Sequence, residues 1–260
     1  MKAFTTFTQI KMMAVAMLLA FTFALTSTSN VQAQDEDDKF GMSVTLNSDI
    51  FFGFYPFFAG SYAIGDATDF TFYGILWSGG GFGFAWGNWT EFGVGLNFEV
   101  AEGININPQI GLLSGSLTSS GGPGQSVLGE GFVPNVTIGI DKESIEGEIY
   151  AGLYTGLNHG AALGTHNYLH WWANGGIKFT PFFSAGLHLE HLRFMGGSEY
   201  ESDDAYDYYF ALGPYVQFAD PNGGAFARFT TGGDLRGDEM VEKSEWAQPS
   251  FFKLTVGYSF

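Results

Sequence analysis

Phe251-Phe252-Lys253-Leu254-Thr255-Val256-Gly257-Tyr258-Ser259-Phe260 closes the chain. Successive side chains on a β-strand point to opposite faces. Phe252, Leu254, Val256, Tyr258 and Phe260 therefore share one face, and Phe251, Lys253, Thr255, Gly257 and Ser259 the other. The first face is wholly apolar and the second mostly polar. A strand with lipid outside and a polar lumen inside needs this division.

The same period recurs upstream. Phe92, Val94, Leu96 and Phe98 alternate with Glu91, Gly93, Gly95, Asn97 and Glu99. Ile145, Ile149, Ala151 and Leu153 alternate with Glu146, Glu148, Tyr150, Gly152 and Tyr154. Tyr208, Phe210, Leu212, Val216 and Phe218 alternate with Asp207, Tyr209, Gly213, Tyr215 and Gln217. Short turns at 65–68, 101–103, 141–144, 180–181 and 220–223 alternate with longer links at 79–88, 119–130, 158–166, 195–205 and 234–248. Outer-membrane barrels have short periplasmic turns and long external loops, so the carboxyl terminus is expected in the periplasm. Ten strands follow the first short turn: 69–78, 89–100, 104–117, 131–140, 145–157, 167–179, 182–194, 206–219, 224–233 and 249–260. Residues 50–64 descend into that turn, and 40–47 fit a rising strand that also places the amino terminus in the periplasm. The fold expected is all-β, a single up-and-down antiparallel transmembrane barrel of about 12 strands, or of 10 if residues 40–64 do not split.

Composition supports that class. Only 14% of residues are charged, 18% are aromatic and 38 are Gly, an unusual mixture for a soluble β-protein but suited to an apolar wall girdled by aromatics. Lys2 and Lys11 precede an apolar run through Ala20, and Val31-Gln32-Ala33 offers small residues at a cleavage site. Residues 1–33 thus have the layout of a secretory signal peptide. Residues 34–39 form an acidic tail and 40–260 the barrel. Loss of Lys2 and Lys11 with the signal takes the formal charge from −17 to −19. That acidity argues against nucleic acid as a partner, because phosphates call for Lys and Arg. With no cysteine there is neither a disulfide scaffold nor a thiolate metal site, and no cofactor is implied. Tyr258 and the terminal Phe260 resemble the assembly signal of outer-membrane barrels, so the expected partners are outer-membrane lipid, lipopolysaccharide and the barrel-assembly machinery.

The densest polar cluster lies on the hairpin around Pro181. Pairing numbers that sum to about 362 sets Lys178 opposite Ser184, Asn174 opposite His188 and Trp172 opposite Glu190, with His170 near Leu192, all pointing inward. A solute-binding or selectivity patch is one reading; a hydrogen-bonded barrel interior is the other. Two of these His with Glu190 are a possible metal donor set, yet nothing fixes a third ligand and the spacing matches no known motif. The remaining His are His159, His166 and His191; His191 is expected to face lipid at the outer rim with Ser198 nearby. No motif unites a nucleophile, a base and an orienting group. Gly79-Gly80-Gly81-Phe82-Gly83-Phe84 lacks the Lys and helix of a phosphate loop and reads as an external loop. The acids Glu199, Glu201, Asp203, Asp204, Asp238, Glu239, Glu242 and Glu245 read as solvated loop charges, with surface cation binding as the alternative.

Phe51-Phe52-Gly53-Phe54-Tyr55-Pro56, Asp69-Phe70-Thr71-Phe72-Tyr73-Gly74, Trp89-Thr90-Glu91-Phe92-Gly93-Val94-Gly95, Asn107-Pro108-Gln109, Phe182-Phe183-Ser184-Ala185-Gly186-Leu187-His188 and Leu212-Gly213-Pro214-Tyr215-Val216-Gln217-Phe218 carry a resemblance. They resemble an uncharacterised family of bacterial outer-membrane barrels named only as a domain of unknown function. The likeness implies a barrel in a Gram-negative outer membrane, and no activity or site. Two functions remain open. One is a narrow passive, porin-like channel for small solutes, since twelve strands lie between the filled eight and the open sixteen. The other is a non-conducting structural or surface-interaction barrel plugged by Tyr150, Tyr154, Trp172, Tyr209 and Tyr215. An outer-membrane hydrolase is the disfavoured third. In a channel, inward Glu91, Glu99, Glu146, Glu148, Glu190 and Asp207 outnumber Lys178, Arg228 and Lys253. If those cations pair with Glu146 or Glu148, then Glu91, Glu190 and Asp207 remain unpaired in the outer half and give a mild cation preference.

Overall fold

The computed structural model describes residues 39–78, 88–115, 117–118, 127–157, 164–198, 205–236 and 250–260. Twelve strands run β1 Phe40–Asp49, β2 Gly53–Gly65, β3 Thr68–Ser78, β4 Asn88–Ala101, β5 Ile104–Gly115, β6 Val127–Asp141, β7 Ile145–Gly156, β8 Asn167–Lys178, β9 Phe183–Phe194, β10 Tyr206–Ala219, β11 Ala225–Asp234 and β12 Ser250–Ser259. Each pairs antiparallel with its sequence neighbours, and β1 closes onto β12 from Ser43–Ser259 to Asp49–Lys253. Closure removes the unpaired edge that would recruit another chain. The expected fold class and twelve-strand count hold, since 40–64 splits around Ile50-Phe51-Phe52.

Local chemistry sets the turns. Thr180 Oγ1 accepts hydrogen bonds from the amides of Phe182 and Phe183, and Asp220 Oδ1 accepts one from Asn222. Such side-chain acceptors fold a chain back in two or three residues. The face away from the lumen stays apolar and exposed, as at Phe92, Ile110, Ile177, Leu187 and Phe229. An apolar surface this extensive is stable in hydrocarbon, where every backbone group is already paired within the ladder.

The β8–β9 register is the expected one, with Lys178–Ser184, Asn174–His188, Trp172–Glu190 and His170–Leu192 as Cα partners. Two strands depart from the expectation. β6 begins at Val127 rather than 131, because a register shift between Leu113 and Gly115 lets pairing continue. In β10 a second shift falls between Asp207 and Tyr209. A bulge adds one residue and reverses alternation beyond it. Tyr208 and Tyr209 are consequently both buried within the lumen, and Asp207 turns to the outer wall.

Side chains fill the lumen unevenly. Buried Trp77, Trp89, Tyr154, Tyr168, Leu192, Phe194 and Tyr208 pack in the half away from the chain termini. Polar residues dominate the half at the termini.

Candidate functional site

The turn joining β1 to β2 folds into the lumen. Asp49 Oδ1 accepts from the amides of Phe51 (2.9 Å) and Phe52 (2.5 Å), and Asp49 Oδ2 from the Tyr55 hydroxyl (3.0 Å). Gly53, at φ +72°, supplies the left-handed conformation that returns the chain to β2. Phe51 then crosses to β10, its ring 4.5 Å from that of Tyr209 and 6.0 Å from Tyr208. Phe52 lies 4.8 Å from Trp77 on β3 and 5.4 Å from His170 on β8. Two side chains from one turn thus touch opposite walls. Beside Phe52 the remaining void is about 20 Å³, room for about one water.

On the other side of this plug is a cavity of about 580 Å³. It runs from Met42, Ser259 and Phe260 at the termini rim to a floor of Tyr55, Trp77, Tyr154 and His170. Its β1, β3, β5 and β12 walls are polar but internally satisfied. Gln109 donates to Thr71 (3.0 Å), Thr71 to Asn107 (2.9 Å) and Thr255 to Asn47 (3.0 Å). Opposite, the ring of Trp172 stacks on Tyr150 at 4.0 Å, while its indole N–H donates to Glu148 (2.6 Å).

A charge cluster lies at the floor. Glu190 is fully buried and accepts from four strands: His170 Nε2 at 3.0 Å, His188 Nε2 at 2.9 Å, the Tyr209 hydroxyl at 2.7 Å and Lys253 Nζ at 3.1 Å. A carboxylate only accepts, so each imidazole presents its Nε2 proton. Both His already spend Nε2 on the carboxylate. Among the described residues no group of three or more His, Asp or Glu is arranged to hold a metal ion.

A second buried acid, Glu91, accepts from the Tyr73 hydroxyl (2.6 Å) and from Trp77 Nε1 (3.4 Å). Asn135 Nδ2 donates in turn to Tyr73 (2.9 Å). Gly93 and Gly111 make this possible, because a Cβ at either would collide with the Tyr73 side chain lying across them.

The structure brings Glu190, His170, His188, Asn174 and Trp172 together as the hairpin register requires, while Glu91 lies on β4 with its own partners Tyr73 and Trp77. It separates others. Lys178 sits at the termini rim and pairs with Asp141 rather than with Glu146 or Glu148. Glu190 is not unpaired; Lys253 reaches it from β12. Asp207 is not in the lumen, since the bulge turns it outward to Arg193 Nη1 (2.7 Å) and His191 Nε2 (2.9 Å). His191 also accepts from Trp171 Nε1 (2.9 Å), and Ser198 Oγ accepts from the Thr165 amide, so the two form no pair. Phe260 donates its amide to Met42 O at 2.8 Å, and its ring lies 5.0 Å from that of Tyr258. Residues 1–38, Gly79–Phe84, His159 and the loop acids Glu199, Glu201, Asp203, Asp204, Asp238, Glu239, Glu242 and Glu245 lie outside the described residues.

Sequence reasoning missed Asp49, Phe51, Phe52, Tyr73 and Asn135. A signal existed for the first three: an Asp two and three residues before consecutive amides is the pattern of an Asx turn, and the two aromatic residues that follow break the alternation.

Among solved structures the barrel is similar to an outer membrane channel from Pseudomonas putida F1, with TM-score 0.50 and 13% identity over 85% of this chain and 94% of that one. It is also similar to the KdgM porin, with TM-score 0.46 and 12% identity over 84% and 99%. The NanC porin aligns with TM-score 0.47 and 10% identity over 84% and 98%. Likeness at these identities is one of fold. A search of curated proteins finds no match. The family model described as a family of unknown function, DUF6733, matches residues 8–260. This twelve-stranded β-barrel therefore belongs to DUF6733.

Proposed function

We propose that the protein is a narrow passive channel for small polar solutes, with a mild cation preference, held shut in this structure by the inward turn Ile50–Phe52. The observation that carries the reading is the cavity of about 580 Å³, lined by both polar and aromatic side chains, which reaches from one rim to mid-lumen and stops at a plug built partly from that single turn. The termini rim faces the periplasm, residues 1–33 are the export signal, and Tyr258 and Phe260 engage the assembly machinery. The lipid-facing wall takes lipid and lipopolysaccharide.

The cation preference rests on lumen charge. Among the described residues, the inward acids Asp49, Glu91, Glu146, Glu148 and Glu190 outnumber the inward cations Arg228 and Lys253; Glu148 and both cations line the cavity itself, and the other four acids lie behind its wall. Carboxylates lining a passage favour cations. Reversal potentials of the refolded protein in a salt gradient test this. Cation preference is expected, and Glu190→Gln should lower it more than Glu146→Gln, because it leaves the Lys253 charge uncancelled beside the cavity. Glu146 is held by the neutral donors Ser184, Tyr215 and Gln217. Anion preference in the wild type would overturn the assignment.

A second reading, a non-conducting structural or surface-interaction barrel, is favoured by the aromatic packing that fills the other half of the lumen. It predicts no current under any condition. Among the described residues, no nucleophile–base pair at the site supports a hydrolase.

A further inference from the structure

Among the described residues, the permanently charged side chains lining the cavity are Glu148, Arg228 and Lys253. Lys253 is spent, since its ammonium touches the Glu190 carboxylate behind the wall. The other two form no ion pair among the described residues. Glu148 Oε1 accepts from the neutral indole of Trp172, and Arg228 Nε donates to the neutral amide oxygen of Gln217 at 2.9 Å. Neither side chain is fully buried, so the polar atoms they have left are within reach of a solute in the cavity.

Packing holds both groups in place. The Trp172 ring that anchors Glu148 is itself stacked on Tyr150 at 4.0 Å. The Arg228 guanidinium carbon lies 4.9 Å from the centre of the Tyr215 ring. Gln217 keeps its oxygen toward Arg228, because its Nε2 donates to Glu146. Arg228 Nε is thereby committed to the β10 wall, and the two terminal nitrogens keep the fork that grips a carboxylate. The two charges also stand at one level. Glu148 lies three residues in from Ile145 and Arg228 three in from Ala225, and both strands start at the termini rim. The Gln217 amide links Arg228 to Glu146, which is one inward step from Glu148 on β7. That step is about 6.6 Å along the strand.

We infer that the cavity binds a zwitterionic solute of dipeptide size, its carboxylate on the Arg228 fork and its ammonium on Glu148 Oε2. The inference rests on the reading of the cavity as the solute compartment. With Lys253 matched by Glu190, the lining offers one free charge of each sign. A net-neutral solute carrying both signs answers both; a lone amine leaves Arg228 unanswered, and a lone acid leaves Glu148. The balance inside the cavity is compatible with a mild cation preference, because Asp49 and Glu91 behind the wall still add negative potential. Separation sets the size. Arg228 and Glu148 stand apart, joined only through Gln217 and a two-residue step along β7. A free amino acid carries both charges on one carbon, whereas a dipeptide sets its termini about 3.3 Å further apart. The volume falls within the range of small-molecule sites.

Equilibrium binding tests this with the whole refolded barrel in nanodiscs, where the cavity is reached from the termini rim without opening of the plug. Isothermal titration should give saturable binding of dialanine. Its N-acetyl form, its carboxy-terminal amide and free alanine should each bind roughly tenfold more weakly, the loss expected for one charge-assisted hydrogen bond. Arg228→Gln should weaken dialanine roughly tenfold, to the level of the amide, and leave the amide unchanged. Glu148→Gln should do the same relative to the N-acetyl form. A change of packing alone would weaken all four ligands together. Heat-modifiability on gels reports that each variant has folded; should one fail the other carries the test, and the four ligands on the wild type carry it without either. No saturable dialanine binding, equal binding of a blocked form or of alanine, or unchanged affinity in a folded variant would overturn the inference. Dialanine binding without conductance would leave it standing and remove the channel reading; conductance without binding would do the reverse.

Discussion

Lys253 and Glu190 define a perturbation whose size follows from the structure. Glu190 is fully buried and its carboxylate takes four donors, of which Lys253 is the one permanent cation. Removing one member of a buried pair costs about 3–5 kcal/mol, because the other is left charged and dry. The two members are not equivalent. Lys253 also stands in the field of Asp49 and Glu148, so Lys253→Met leaves three carboxylates without their cation. Glu190→Gln leaves Lys253 with two of its three acids, though the new amide N–H₂ must face donors. We expect Lys253→Met to cost about 4 kcal/mol and Glu190→Gln about 3 kcal/mol. The double variant should cost less than their sum by about 2 kcal/mol, a coupling within the range seen for residues in contact. Urea unfolding of the barrel refolded into lipid vesicles, run as a double-mutant cycle, measures all three. Additivity within about 0.5 kcal/mol, or Glu190→Gln costing more than Lys253→Met, would refute the pairing.

Two further outcomes follow from the plug and its supports. Asp49→Ala removes the acceptor of two turn amides and the Tyr55 hydroxyl. At a net loss of about 3 kcal/mol for these charge-assisted bonds, the open fraction in planar bilayers should rise roughly a hundredfold; an unchanged open fraction would show that the turn is not the closure. Gly111→Val drives a side chain into Tyr73 and Glu91, so it should destabilise the barrel by about 2 kcal/mol in the same urea assay, while Val at the exposed outer position of Leu112 should be nearly neutral.

Strands and hairpin registers were legible because lipid enforces alternation on every segment and short turns fix pairing. The pairs at Asn174–His188 and Trp172–Glu190 follow from the Pro181 turn alone. Features set by contacts across the lumen were not. Asp207 was misplaced because the bulge that turns it outward depends on Tyr208 and Tyr209 both finding room inside, which no local pattern states. The Lys253–Glu190 pair joins strands that are not neighbours and exists only once the barrel closes at this diameter. Ile50-Phe51-Phe52 reads locally as a turn, but its inward direction depends on the rings of Trp77, His170 and Tyr209 that receive it.

Conductance across planar bilayers tests the central claim most directly, with wild type compared to Phe51→Ala/Phe52→Ala. Those two rings are the turn's buried contribution to the plug. The account predicts rare, discrete, cation-preferring openings in the wild type and a steady current of the same preference in the double variant. Absence of current above leak in both, with folding verified on unboiled gels, would contradict it and leave a closed barrel.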